Sequence, residues 1–280
     1  MSVAASSTGC YQIPAMSLPP FDHDAHTKYT EPPNASWTLG QKIENTESGR
    51  KWLEGEEQGW QIINTAEDTP QLYPLMTSAI VPRPVAFVSS VSETGVENLA
   101  PFSYFNTVTR NPPIVSFSCR NAPRVKDTAT NAKNGLGFTV NIISEPFVEN
   151  ANVTAIDAPP DFDEWIISGL TKTPSIHVKA PRVKESAFSM ECDLFQAIDI
   201  AHPVSGEITA TLILAHVKYI HVRKDVLNER GVVDITQYKP IARLGDISYG
   251  RVGDVFRLPR PVWEQEREKI EQASENSQLS

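Results

Sequence analysis

The sequence predicts a mainly β protein, a β-barrel with appended helices. Six apolar, β-branched or aromatic runs fall between residues 85 and 222, separated by Pro, Gly and Asn turns. Helical signals are confined to two or three short segments. Nothing shows the regular strand–helix alternation that a doubly wound parallel sheet requires.

The chain has 280 residues, enough to bury a large core in one domain with appendages. Its formal net charge of -9 argues against non-specific nucleic-acid binding but leaves room for a local cationic pocket. Cys10, Cys119 and Cys192 form neither a disulfide framework nor a metal-ligand spacing, and read as thiols in a reducing compartment. The N-terminus lacks a basic flank with a compact apolar core, and no run approaches the ~18 apolar residues of a membrane helix. The terminal Gln278-Leu279-Ser280 is not a peroxisomal signal. The expectation is a soluble, cytoplasmic protein with no nucleic-acid or membrane partner.

Residues 1–35, rich in Pro, Ser, Thr and Ala, are expected to be loose, with His23 and His26 solvent-exposed. Residues 36–70 carry Trp37, Trp52 and Trp60 without a clear period, and read as an extension wrapping the core through its indoles or covering a ligand. The main domain is set at 71–262. Residues 85–91 form a buried strand between Pro82/Pro84 and the turn at 92–95, and residues 96–104 are its hairpin partner. Asn111-Pro112-Pro113 forces a turn into a strand at 114–119. A short helix over 127–134 closes at Gly135, and a strand follows at 136–143. Ser144 is a candidate N-cap for a second helix with Pro146 in its first turn. Residues 188–200 and 209–222 are long strands. The second is apolar on both faces, as a barrel wall or a subunit interface would be. Residues 263–280 form a charged surface helix, beginning near 262, and a tail.

The chemistry concentrates between residues 82 and 128. Lys126 precedes Asp127 and Thr128 at a helix start, where a cation, a hydroxyl and free N–H groups suit a phosphate. Arg83, between two prolines, and Arg124 are further cations. The competing reading is a solvated lysine beside an ordinary helix cap. In the run Asn98-Leu99-Ala100-Pro101-Phe102-Ser103, small Ala100, the sheet-interrupting Pro101 and the polar Asn98 and Ser103 suit a flat flavin-like ring. Ser89, Ser90, Ser116 and Ser118 either face that ring or alternate toward solvent. No Gly-x-Gly-x-x-Gly, Walker, His-Glu-x-x-His or Gly-x-Ser-x-Gly sequence is present, and no metal site is expected. Among the scattered histidines only His216, inside an apolar strand, is a catalytic candidate. Phe162 and Trp165 line either a substrate mouth or plain core.

Pro82-Arg83-Pro84, Phe87-Val88-Ser89-Ser90, the 98–103 run, Asn111-Pro112-Pro113, Lys126-Asp127-Thr128, Val140-Asn141 and Arg243-Leu244-Gly245-Asp246 with Tyr249 together resemble the flavin reductase-like family of FMN-binding split barrels. This group includes the reductase component of nitrilotriacetate monooxygenase. The resemblance spans residues 70–262. It implies a split-barrel homodimer binding FMN near the subunit interface, with Arg83, Lys126 and Thr128 near the phosphate. It brings Ser89, Ser90, Asn98, Ala100, Pro101, Phe102 and Ser103 toward the ribityl chain and ring, and Tyr249 toward the flavin. The implied activity is hydride transfer from NADH or NADPH to flavin N5, without a dedicated general base, with a partner oxygenase as one destination for the reduced flavin. Two alternatives stand beside it: an FMN-dependent oxygenase or oxidase of a small organic substrate, and a flavin-binding protein without turnover.

Overall fold

A computed structural model describes residues 18–278 apart from 68, 69, 122, 123 and 161; side chains beyond 272 are not considered. In chain order the elements are β1 (Tyr29–Thr30), α1 (Glu47–Leu53), α2 (Leu72–Ala79), β2 (Ala86–Val91), β3 (Glu97–Phe102), β4 (Phe105–Arg110), β5 (Pro113–Arg120), α3 (Asp127–Ala132), β6 (Phe138–Ile142), α4 (Val148–Val153), α5 (Trp165–Ser168), β7 (Lys172–Thr173), β8 (Arg182–Val183), β9 (Phe188–Ala201), β10 (Ile208–Val222), α6 (Ile235–Tyr238), β11 (Ile241–Arg243), β12 (Tyr249–Arg251), β13 (Val255–Phe256) and α7 (Trp263–Gln278).

Seven strands form one sheet in the order β3-β2-β6-β9-β10-β5-β4. Its two edge strands, β3 and β4, are consecutive in the chain and separated only by Ser103 and Tyr104. Two residues span only about 7 Å, so the sheet must curl until its edges approach at that corner. The Ser118 N–H donates to the Tyr104 carbonyl at 3.0 Å there. The barrel is therefore split along this seam, not closed by a ladder.

The continuous apolar run of β2 is explained by its place inside the sheet. Ala86 and Val88 join one core with Phe117, Phe138, Val140 and Ile213, which α3 enters through Ala129 and Ala132. Val85, Phe87 and Leu99 join a second core with Ile143, Phe147, Trp165 and Ile241. Alternate side chains point to opposite faces, and both faces are covered. Trp165 is thus core, with the Lys172 ammonium 5.5 Å from its ring centroid.

Several expectations are corrected. Residues 105–110 form an edge strand, β4, that the sequence pattern does not reveal, and α2 precedes the first strand of the seven-stranded sheet. Ser144 precedes the single 3-10 turn Glu145–Phe147 that leads into α4, but its hydroxyl donates to the Tyr238 carbonyl at 2.8 Å and caps nothing. Within 18–35, β1 pairs in parallel with β13, and Arg251 donates to the Ala25 and Asp22 carbonyls, so this part of the N-terminal segment is ordered against the C-terminal one. Cys10 lies outside the described residues. Trp37, Trp52 and Trp60 are 50%, 78% and 84% exposed, so the 36–70 segment, which contains the Thr46-capped α1, does not anchor through its indoles in the single chain. No helix among the described residues is long and apolar enough to cross a membrane.

Candidate functional site

Two clefts flank the corner between β3 and β4. The first, of about 100 Å³, is lined by Asn98, Ala100, Pro101 and Phe102 of β3, by Arg124, Lys126, Asp127 and Thr128 at the start of α3, by Ala155–Asp157 after α4, and by Glu164. The second, of about 430 Å³, is lined by Met76, Thr77, Ile80, Pro82, Arg83, Pro84, Ser103, Tyr104, Phe105, Asn106 and Ser116.

In the first cleft neither Asp127 nor Thr128 caps α3. Lys126 holds the N-cap position in an extended conformation without a side-chain cap. The Asp127 carboxylate instead accepts a two-pronged bond from Arg124, at 2.9 and 3.0 Å. Arg124 also donates to the Ala158 carbonyl. The Lys126 ammonium donates to Asp157 Oδ1 at 2.8 Å and holds that carboxyl below the ordinary aspartate range.

The cleft floor is a buried polar network. The Thr128 hydroxyl donates to Asn98 Oδ1 at 2.7 Å, and the Asn98 amide donates to Glu164 Oε2 at 2.8 Å. Glu164 also accepts the Leu99 N–H at 3.2 Å. Burial pushes the Glu164 carboxyl up, and these bonds offset that only in part. Ser90 donates to Asn98 Oδ1 and accepts from the Asn131 amide. With Leu99 held by Glu164 and Pro101 lacking an N–H, the outer edge of β3 cannot recruit another strand.

The predicted site residues therefore divide. Asn98, Ala100, Pro101, Phe102, Lys126, Asp127 and Thr128 meet in the first cleft, together with Arg124. Arg83 and Ser103 line the second and are not beside Lys126. Arg83 is no free cation: it donates to the Thr77, Ile80 and Leu244 carbonyls and to Ser103 Oγ. Ser89 and Ser90 are fully buried and line neither cleft, because β2 is covered on both faces. The Ser89 hydroxyl has no hydrogen-bond partner among the described residues. Ser118 also lines neither cleft. Tyr249 donates to Asn152 Oδ1 at 2.9 Å and lies under the Arg243 guanidinium; it reaches the first cleft only through α4, whose following residues form that cleft's wall. His216 is half-buried on β10, with Lys218 Nζ 3.5 Å from its Nδ1, and lines neither cleft. Burial pushes the Cys119 thiol up to about 12 and raises Cys192 as well, which leaves both inert. No cluster of three metal-ligating side chains occurs among the described residues.

The sequence reading missed Asp157, Glu164, Tyr104 and Asn106. Asp157 and Glu164 lie 31 and 66 residues from their partners Lys126 and Asn98, and only the fold brings them together.

Residues 76–242 match the family described as flavin reductase like domain. Nitrilotriacetate monooxygenase component B from Bacillus cereus is 38% identical, with a TM-score of 0.68 over 71% of this chain and 99% of its own. The 2-nitrobenzoate 2-nitroreductase of Pseudomonas fluorescens is 27% identical, with a TM-score of 0.64 over 73% and 98%. A Shewanella frigidimarina protein described as having a split barrel domain shares the fold at 19% identity, with a TM-score of 0.63 over 72% and 100%.

Proposed function

This chain belongs to the flavin reductase-like family, and from that premise we propose that it is an FMN-dependent oxidoreductase that accepts hydride from NADH or NADPH. The family supports the broad role, a flavin-related oxidoreductase. The observation that carries the finer reading is the first cleft, where Lys126 and Arg124 stand beside the small, edge-strand segment Ala100-Pro101-Phe102.

The donor set fits a phosphorylated flavin on one condition. The cleft holds two cations, Arg124 and Lys126, against three carboxylates, Asp127, Asp157 and Glu164. Arg124 is committed to Asp127 and Ala158, so Lys126 is the group that would meet the phosphate, with Asp157 giving way. Thr128 and Asn98 hold the floor, and the Phe102–Tyr104 corner leads from this cleft to the second. When bound, FMN would supply the hydride chemistry; the chain contributes position and electrostatics.

Absorbance of the purified protein tests the reading. A flavin spectrum that bleaches rapidly with NADH or NADPH supports it. A protein that stays colourless with added FMN overturns it, and stable colour with both nicotinamides leaves a binding protein without turnover. Lys126→Ala is expected to weaken FMN binding by about 1.5–3 kcal/mol, the usual cost of a lost charged hydrogen bond, and to leave riboflavin binding nearly unchanged. Titration of both flavins checks this. Thr128 is a poorer probe, since its hydroxyl also satisfies buried Asn98.

The second cleft favours a second reading, oxygenase or oxidase action on a small organic molecule. Its walls are largely apolar, and its one cation, Arg83, is bound to backbone carbonyls, so it suits a neutral or weakly polar ring. Oxygen uptake dependent on such a compound would separate this reading from free flavin reduction.

The proposal includes a homodimer. β6 pairs with β9 only through residues 189–192, so the outer part of β9 has β10 on one side and, among the described residues, no sheet partner on the other. Phe195 and Ile200 there are 57% and 43% exposed. An apolar, unpaired edge of this kind is suited to a second copy. Sedimentation is expected to give twice the 31.0 kDa chain mass; a monomer would overturn the assignment. The cytoplasmic location expected from the sequence remains part of the proposal.

A further inference from the structure

We propose that Asp157 is a built-in counter-anion for Lys126, holding the ammonium until a phosphate takes it and thereby setting how strongly the cleft prefers phosphorylated over unphosphorylated flavin. This rests on the flavin reading of the first cleft and adds a specificity-determining residue to it.

The three carboxylates of the cleft are not equivalent. Asp127 is pinned by the Arg124 fork, and Glu164 is pinned by the Asn98 amide and the Leu99 N–H. Asp157 has the Lys126 ammonium as its side-chain hydrogen-bond partner, and its own side chain is 45% exposed. It sits just past the end of α4, on a wall segment with Ala155 and Ile156. A half-exposed ion pair holds weakly, because water stabilises the separated charges nearly as well. Asp157 can therefore leave at little cost, whereas moving Glu164 would strand the buried Asn98 amide and Leu99 N–H, and moving Asp127 would break the two-pronged Arg124 bond.

The charge balance makes the exchange necessary. A dianion entering with Asp157 in place would face three carboxylates against two cations, both already engaged, Arg124 by Asp127 and Lys126 by Asp157. Like charges at contact distance repel even where water screens them. Displacing Asp157 frees Lys126, and a phosphate oxygen takes its place. An unphosphorylated flavin has no group for that position and leaves the Asp157–Lys126 pair intact. Asp157 thus opposes any anion at that position, and of the two flavins it weakens only FMN.

The test titrates FMN, riboflavin and inorganic phosphate into the full chain by calorimetry, with wild type, Asp157→Asn, Asp157→Ser and Asp157→Glu. Loss of the charge in Asp157→Asn and Asp157→Ser is expected to tighten FMN and inorganic phosphate about five- to tenfold. Riboflavin should stay within about twofold, and Asp157→Glu should behave as wild type. Two neutral variants guard against a change of wall shape. An unaltered FMN-to-riboflavin ratio would overturn the proposal, as would equal tightening of riboflavin, which would make Asp157 a steric wall. If wild type binds neither flavin, the flavin reading falls. The phosphate titration then decides the counter-anion separately: tightening in both neutral variants upholds it, and no change overturns it.

Discussion

Glu191→Ala is expected to destabilise the protein by about 3–5 kcal/mol, the cost of leaving several donors without the one carboxylate they share. Glu191 is fully buried on β9. Its carboxylate accepts the N–H groups of Ile176, His177 and Val178 at 2.8, 2.6 and 3.2 Å, and the His221 ring N–H at 2.6 Å. Without it, three backbone donors lose their partner at once. The loop they belong to is fastened from the other side as well. Val178 packs so closely on Gly137 that a Cβ there would lie 2.3 Å from its Cγ1, and Gly137 has a φ of +70° that other residues rarely adopt.

The same residue gives the protein an acid sensitivity whose sign follows from its bonds. Burial pushes the Glu191 carboxyl up, but the three N–H groups and His221 more than offset it and hold it below the ordinary value of 4.5. A carboxyl depressed in the folded state contributes stability that is complete above its unfolded value and is lost as pH falls through the folded one. Wild type should therefore lose stability progressively below about pH 4.5, and Glu191→Gln, though less stable at neutral pH, should show a flatter decline there. Chemical denaturation at several pH values measures both. Parallel curves for the two proteins would show that Glu191 carries no such linkage.

How much of this was legible before the structure depended on whether the signal was local. β2 could be read because both of its faces are buried, so every position is apolar or small. β4 could not: as an edge strand it exposes Asn106, Thr107 and Arg110, and its pattern resembles a loop. α2 is eight residues with a proline inside, too short for a helical period to stand out. At the candidate site, Lys126, Asp127 and Thr128 do line one cleft, but Arg124 holds the Asp127 carboxylate and Asn98 accepts the Thr128 hydroxyl, so neither side chain caps the helix they begin. Ser89 and Ser90 read as facing either a ring or solvent, and in the single chain they face neither cleft nor solvent, because β2 is buried on both sides. Asp157 and Glu164 had no local signature that ties them to their partners.

Arg83 shows the same limit most sharply, and it carries the other large expected effect. As sequence, Arg83 and Lys126 are two cations flanking one set of strands. As structure, they do opposite work. Arg83 sits beyond the C-terminal end of α2 and donates to the carbonyls of Thr77 and Ile80, groups that the helix end leaves without intrahelical partners. It also reaches the Leu244 carbonyl across 161 residues at 2.9 Å, joining α2 to the segment after β11, to which its own backbone is bridged through Arg243. Arg83→Met keeps the stem and removes the fork. It should strand these carbonyls and cost about 3 kcal/mol or more, lowering the melting temperature by roughly 6–12 °C. Arg83→Lys should fall between, since one ammonium cannot reproduce a planar fork spread over carbonyls from three directions. The experiment also decides between the two roles proposed for this residue. If Arg83 served the phosphate, Arg83→Met would weaken FMN and spare riboflavin while the melting temperature held. If it serves the helix end, the melting temperature falls, and in the protein that remains folded the two flavins keep their relative affinities.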